Sequence, residues 1–198
     1  MPWTNPMLHI LRTLARELLS QQGRFRLWFA LFRYWPGTSG QMIRARLLRP
    51  HLGGPAEDLL VREGVYIRNP ESLVPGLGLR IGDHVFLQAG GGIETGDHVI
   101  LGPGCKIWSQ NHRAADPSIP IKDQGYDYDK VVIGNDVWIG ANAFVMPGVN
   151  LPAGCVVAAG SVVAKKLYKP HTIIAGNPAR AVGSRQSQAT PSDASKSS

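Results

Sequence analysis

A single histidine, His112, follows Asn111 at the mouth of a polar stretch, HRAADPSIPIKDQGYDYDK, that runs to Lys130. Imidazole titrates near neutral pH, so it can accept the proton of a hydroxyl that is barely ionised there. No Ser-His or Cys-His pairing accompanies it to suggest a covalent enzyme intermediate, which favours direct attack between two bound reactants. Asn111 carries an amide that could steady developing negative charge, although a backbone N–H is the stronger candidate for that task. The stretch holds two prolines, four aspartates and two tyrosines, and it is too long for a plain turn. Long loops on rigid scaffolds are where specificity usually resides. Asp123, Tyr126 and Tyr128 could bond a hydroxylated ligand, and packing against a second subunit is an equal alternative for them.

What positions this loop is a repeat. From Lys130 the chain runs VVIGND VWIGAN AFVMPG VNLPAG CVVAAG SVVAKK, with Ile133, Ile139, Val145, Leu151, Val157 and Val163 spaced by six. If aliphatics fill about a quarter of positions, six such hits in a row have odds of about one in four thousand. Two residues earlier stand small or β-branched residues: Val131, Val137, Ala143, Val149, Cys155 and Ser161. A period of six matches neither a helix nor an ordinary strand. It marks a parallel β-helix, in which each repeat supplies a short strand and a turn, and stacked coils bury a column of aliphatic side chains. Cys105 and Cys155 fall on the small inward position and read as core fillers, not as a disulfide or metal pair.

A weaker copy precedes the loop. Ile81, Leu87 and Ile93 keep the spacing; Thr95-Gly96-Asp97, Leu101 and Ile107 then resume it two residues late. The shift points to a bulge at Gly90-Gly91-Gly92 or just after it. Val65-Tyr66-Ile67 is expected to begin the first coil. His84, His98 and His112 are separated by fourteen residues each, which raises the possibility of a zinc site. In a coil of eighteen residues, a step of fourteen moves to another face, so three rings so spaced should not converge on one tetrahedral ion. No metal is expected, and His84 and His98 are taken as solvated turn residues.

Charge is concentrated at one end. Residues 1–54 carry eight arginines against Glu17 alone, a net +7, whereas the other residues hold thirteen basic and thirteen acidic side chains. The same segment contains Phe25, Trp28, Phe29, Phe32, Tyr34 and Trp35, with Leu8, Leu11, Leu14 and Leu18 at helical spacing. Gly23 and Trp35-Pro36-Gly37 divide it into three expected helices, the last over 40–48 before Pro50. A basic, aromatic-rich helical region can cap an otherwise adhesive β-helix end, or it can rest on anionic lipid. Nucleic acid is a poorer fit, because the arginines alternate with large apolar residues and no recognition motif accompanies them. No apolar run approaches the roughly twenty residues that span a bilayer, and no secretory pattern opens the chain. A cytoplasmic protein, at most resting on the inner face of the membrane, is therefore expected. The expected organisation is a helical region at 1–54, a β-helix domain at 60–183 with its excursion at 112–130, and a Ser-rich disordered tail at 184–198.

The segment from Ile81 to Val182 resembles the hexapeptide-repeat acyltransferases, which include maltose, galactoside, serine, xenobiotic and polysaccharide O-acetyltransferases. The resemblance rests on four pieces in order: the IGDHV-type repeats, SQNH at Ser109–His112, VVIGNDVWIGANAFVMPGV at Val131–Val149, and AAGSVVAKK followed by IIAGNPARAV up to Val182. It implies an all-β, left-handed parallel β-helix, acetyl-coenzyme A as donor, a homotrimer, and active sites between subunits. The handedness comes from the resemblance alone, since β-crossovers are otherwise right-handed. His112 matches the family's general base, with a backbone N–H near Gly140 as oxyanion donor, and Trp138 matches a tryptophan beside the base and donor. Lys165, Lys166 and Arg180 are the expected phosphate partners, and Ala141, Gly140, Ala159 and Gly160 would let the pantetheine arm lie on the coil edge. The segment LYKPH at Leu167–His171 departs from the family pattern near the adenine end. Gln88 and Glu94 align with acceptor-contacting positions. The expected reaction is O-acetylation of a sugar or glycan, including a polysaccharide or lipid-linked intermediate. Alternatives are a small-molecule acetyltransferase acting on serine, a free sugar or an antibiotic, and a non-acetylating β-helix protein, either an assembly scaffold or an enzyme such as a γ-class carbonic anhydrase.

Overall fold

A computed structural model describes residues 6–164 and 167–185. The chain winds into a parallel β-helix of about six turns with three faces. The first face stacks Leu60–Val61, Arg80–Ile81, Ile100–Leu101, Trp138–Ile139, Val156–Val157 and Thr172–Gly176. The second stacks Tyr66–Arg68, Phe86–Gln88, Lys106–Trp108, Phe144–Val145 and Val162–Val163; the third stacks Leu73–Val74, Ile93–Thr95, Val131–Ile133 and Asn150–Leu151. A final strand, Ala179–Ser184, folds back antiparallel on Thr172–Gly176. The six aliphatics of the later repeats are at most 1% exposed, and the small residues two positions earlier are equally buried. Both cysteines lie in this core as free thiols, and burial pushes Cys105 up to about 12.

Each corner is turned by a residue in the left-handed region, which explains the recurring Gly, Asn, Asp and His. One column is Gly64, His84, Gly104, Asn142 and Gly160; another is Asp58, Gly78, His98, Asp136, Gly154 and His171. His84 and His98 therefore turn two different corners, and His112 stands beyond the third. Among the described residues no group of three His, Cys, Asp or Glu could hold a metal ion.

The structure relocates three expected features. The first coil starts one strand earlier than Val65, at Leu60–Val61. Ile93 pairs with Val131 and Thr95 with Ile133, so Thr95 takes the aliphatic position and Ile93 the small one. The two extra residues thus sit wholly in the turn before Ile93, where Gly92 N–H closes onto Ala89 O at 2.8 Å. The loop at 109–130 leaves the same corner one coil later. Finally, the break between helices α1 (Pro6–Leu19) and α2 (Gln21–Phe32) falls at Ser20, not Gly23. Ser20 caps α2 by accepting the Gly23 N–H, and Gly23 is buried where a Cβ would lie 2.1 Å from Glu17 O.

Helix α3 (Gly37–Leu48) packs on the first strand, burying Ala45 and Leu48, while α2 buries Phe25 and Phe29. Arg44 is fully buried between them. Its guanidinium donates to Phe32 O (3.0 Å), Trp35 O (2.7 Å) and Val61 O (3.1 Å), tying the end of α2, the interhelical turn and the first coil together. Gly40 makes room for it, since a Cβ there would meet Trp35 O at 1.9 Å and the Arg44 guanidinium at 2.9 Å. By contrast, α1 lies outside the core and exposes Met7, Leu8, Ile10, Leu11, Leu14 and Leu18.

Candidate active site

Ser109 begins the excursion and is its anchor. Fully buried, it donates from Oγ to Gln88 O (2.8 Å), accepts Gly91 N–H (2.9 Å), and its carbonyl accepts Asp129 N–H (2.9 Å) from the returning strand. The loop then forms its own antiparallel ribbon, Gln110–His112 against Tyr126–Tyr128. Arg113 pairs with Asp127 at 2.6 Å, and the Gln124 amide bridges Asp116 O and Ile119 O at 2.8 Å each. Asp116 accepts from the Ser118 side chain and backbone, which holds its carboxyl below the usual range. This is a structured excursion, because polar side chains close the backbone groups that a coil would otherwise pair.

His112 stands exposed on that ribbon. Its ring packs on Tyr126 with centroids 4.3 Å apart, and it edges a cleft of about 440 Å³ shared with Asp116, Ile119, Asp123 and Asp127. Tyr126 thus supports His112 within the chain, a role beside the ligand contact and the subunit packing expected of it, and only the pairing of the two strands reveals it. Asn111 is exposed and opposite Asp127. Asp123 is paired with Lys122 at 2.9 Å.

Gln88 and Glu94 flank the glycine turn below the loop. Gln88 is 3% exposed, and its Oε1 is buried with no partner among the described residues. Glu94 is ion-paired with Lys130 at the loop's exit. Ser109, Asp129 and Lys130 therefore form the neck.

The donor-type residues gather at a different corner, between the first and second faces. Gly140 N–H is consumed by Val157 O at 2.7 Å, so it is not a free oxyanion donor; the next N–H, that of Ala141, has no acceptor among the described residues. The corner is packed backbone to backbone: a Cβ on Gly102 would sit 2.8 Å from Ala141 N, and one on Gly140 would sit 2.6 Å from Ala159 N. Ala159 and Gly160 continue the column, both exposed, with Gly160 N–H on Ala141 O. Trp138 projects outward just before it, 52% exposed. Arg180 is exposed on the terminal hairpin, near Tyr168, whose buried hydroxyl has no partner among the described residues and is pushed up chiefly by burial. Lys165 and Lys166 lie outside the described residues, as do residues 186–198 of the expected tail; Ser184 and Arg185 are ordered, Arg185 bonding Asp136 at 2.8 Å. The second face, about four residues or roughly 13 Å wide, separates this corner from the one that carries His112.

Residues 130–165 match a family model described as the hexapeptide repeat of succinyl-transferase. A chloramphenicol acetyltransferase of Escherichia coli is 46% identical over 57 residues, 29% of this chain and 27% of that protein. A protein described as a probable macrolide acetyltransferase of Lysinibacillus sphaericus is 50% identical over 54 residues, 27% and 29% of the two chains. The matches thus span little more than a quarter of these curated relatives. Structural likeness extends further. A hexapeptide-repeat acetyltransferase of Vibrio cholerae O1 biovar eltor, solved with acetyl coenzyme A, superposes with a TM-score of 0.71 at 26% identity, covering 85% of this chain and 91% of that one. A galactoside acetyltransferase solved with coenzyme A superposes with a TM-score of 0.72 at 23% identity, covering 86% and 82%. In repeat and in fold, the chain is similar to the hexapeptide-repeat acetyltransferases.

Proposed function

We propose that this protein is an acetyl-coenzyme-A-dependent O-acetyltransferase whose acceptor is a sugar or glycan hydroxyl. The observation that carries the reading is the combination of an exposed, ribbon-held His112 with a corner of small residues whose Ala141 N–H has no acceptor among the described residues. His112 takes the hydroxyl proton as the oxygen attacks the thioester carbonyl. The Ala141 N–H steadies the oxyanion, and the proton passes on to the departing thiolate as the C–S bond breaks. The corner fits the donor, because half-buried Ala141 and exposed Ala159 and Gly160 present little side chain to a slender amide-bearing arm over the buried Gly140, with Trp138 beside it and Arg180, with Lys165 and Lys166, for its phosphates. Since His112 and this corner lie a face apart in one chain, we infer that a second copy completes each site, as in a homotrimer. The test measures acetyl transfer to a panel of sugars, glycans, serine and chloramphenicol by the wild type and His112→Ala. A fall of about a hundredfold to ten-thousandfold is expected; undiminished transfer by the variant removes His112 as the base. The identities with antibiotic-modifying relatives favour a second acceptor class, which the same panel separates.

The exposed apolar side of α1, with Arg12 and Arg16 beside it, supports peripheral contact with an anionic membrane. No described helix is long and apolar enough to cross a membrane. Flotation with anionic vesicles should be lost on deleting residues 1–19, and equal flotation of the truncated protein refutes the contact.

A further inference from the structure

A cavity of about 450 Å³ lies between α2 and the first coil, and three arginines face it: Arg26, Arg33 and Arg68. None has a carboxylate partner among the described residues. Arg33 Cζ lies 5.0 Å from the centroid of the Tyr66 ring; Arg68 Cζ lies 5.8 Å from Tyr66 and 5.7 Å from Phe86. Guanidinium groups held on ring faces keep their forks ordered and their N–H edges free for a phosphate. One such N–H, Arg33 Nε, is buried without an acceptor among the described residues.

From this cavity an aromatic strip climbs the second face. Tyr66 meets Phe86 edge-on at 5.1 Å, and Phe86 meets Trp108 at 5.8 Å. Arg68, Gln88 and Trp108 stand in register on successive coils, and the next residue, Ser109, starts the loop that carries His112. Two coil steps, about 10 Å, separate Arg68 from Trp108. The strip holds two further buried polar atoms without partners among the described residues: the acceptor Gln88 Oε1 and the donor Trp108 Nε1. Buried polar atoms are nearly always paired, so an unpaired series from Arg33 through Gln88 to Trp108 marks a track that a polar ligand completes.

We propose that this strip is the acceptor's track and that the arginine cavity takes a phosphate-bearing end, so that the acceptor is a phosphorylated or diphosphate-linked sugar. The rings carry the sugar faces, Gln88 and Trp108 bond its hydroxyls, and the distal hydroxyl reaches His112. The direction of the track rests on the acetyl-transfer reading; the anion site rests on its own residues.

Binding is the decisive measurement. Calorimetry on the full-length protein uses pyrophosphate, uridine diphosphate and geranyl diphosphate as probes, with wild type, Arg33→Gln, Arg68→Gln and His112→Ala. Saturable binding of at least one diphosphate is expected, weakened about tenfold or more in each arginine variant and unchanged in His112→Ala. Arg68 is exposed, so Arg68→Gln keeps its fold and its result stands even if Arg33→Gln misfolds. Tighter uridine diphosphate supports a nucleotide-linked acceptor, and tighter geranyl diphosphate a lipid-linked one. No saturable binding, or equal binding by Arg68→Gln, overturns the site even where His112→Ala abolishes transfer. Arginine-dependent binding by a protein inactive in acetyl transfer keeps the site and sinks only the catalytic reading.

Discussion

Replacing Gly91 by alanine tests whether the glycine turn holds the loop that carries His112. Gly91 is outside the left-handed region, so alanine carries no backbone strain and only its Cβ matters. That atom would lie 2.1 Å from Ser109 O and 2.9 Å from Asp129 N, both backbone atoms of the neck. Carbon–oxygen contacts run at about 3.3 Å, so the neck must open by about 1 Å. Opening strains three bonds: Gly91 N–H to Ser109 Oγ (2.9 Å), Ser109 Oγ to Gln88 O (2.8 Å) and Asp129 N–H to Ser109 O (2.9 Å). At about 1 kcal/mol each, the neck loses about 3 kcal/mol. Confined to the loop, that raises its open population about a hundredfold. Tryptic cleavage at Arg113 and Lys122 should accelerate accordingly while the coil stays folded. Acetyl transfer should fall by a similar factor, because misplacing a base by about 1 Å costs about that much. Gly183→Ala, whose Cβ would meet nothing nearer than Ile173 Cδ1 at 3.8 Å, is the neutral control. Wild-type cleavage and melting in Gly91→Ala would refute the tight neck; loop cleavage that merely follows global unfolding would refute its independence from the coil.

Two other perturbations probe the scaffold. Arg44→Ala removes the three hydrogen bonds by which a buried guanidinium ties Phe32 O, Trp35 O and Val61 O together, so chemical denaturation should report a loss of about 3 kcal/mol, and stability within 0.5 kcal/mol of wild type, about the spread of a neutral surface change, would show that the clamp is dispensable. Cys105 makes the fold alkali-sensitive. Its folded thiol is held up to about 12 from an ordinary 9.0, so below pH 9 both states are protonated and nothing is lost; between pH 9 and 12 only the unfolded chain ionises. Stability should then fall by up to about 1.4 kcal/mol per pH unit, and Cys105→Ala should flatten that slope. An unchanged slope in the variant, or rapid thiol labelling of the folded protein at pH 8, would contradict the burial argument.

Much of this molecule is local and hence legible in the chain. A β-helix pairs each residue with one a coil away, so a period of six, buried aliphatics and left-handed corner residues are set by short-range pattern. The interruption of that regularity drew attention to His112, whereas the Gly140 corner entered through the family resemblance. The slip at Gly90-Gly91-Gly92 was visible as well, but its register was not. Ile93 satisfied the spacing as well as Thr95 does, and only pairing with Val131 and Ile133 on the neighbouring coil separates them. Likewise Gly23 looked like a helix break, whereas close packing on Glu17 is why it lacks a side chain.

The repeat by itself determined the scaffold, because its contacts recur at fixed separations along the chain. Only the tertiary structure decided that Gly140 N–H is already spent on Val157, that Tyr126 supports His112, and that Arg33 at the end of α2 and Gln88 and Trp108 on the second face carry atoms without partners among the described residues. Whether a polar group is satisfied depends on what stands opposite it across coils and helices, and no spacing within a single segment encodes that.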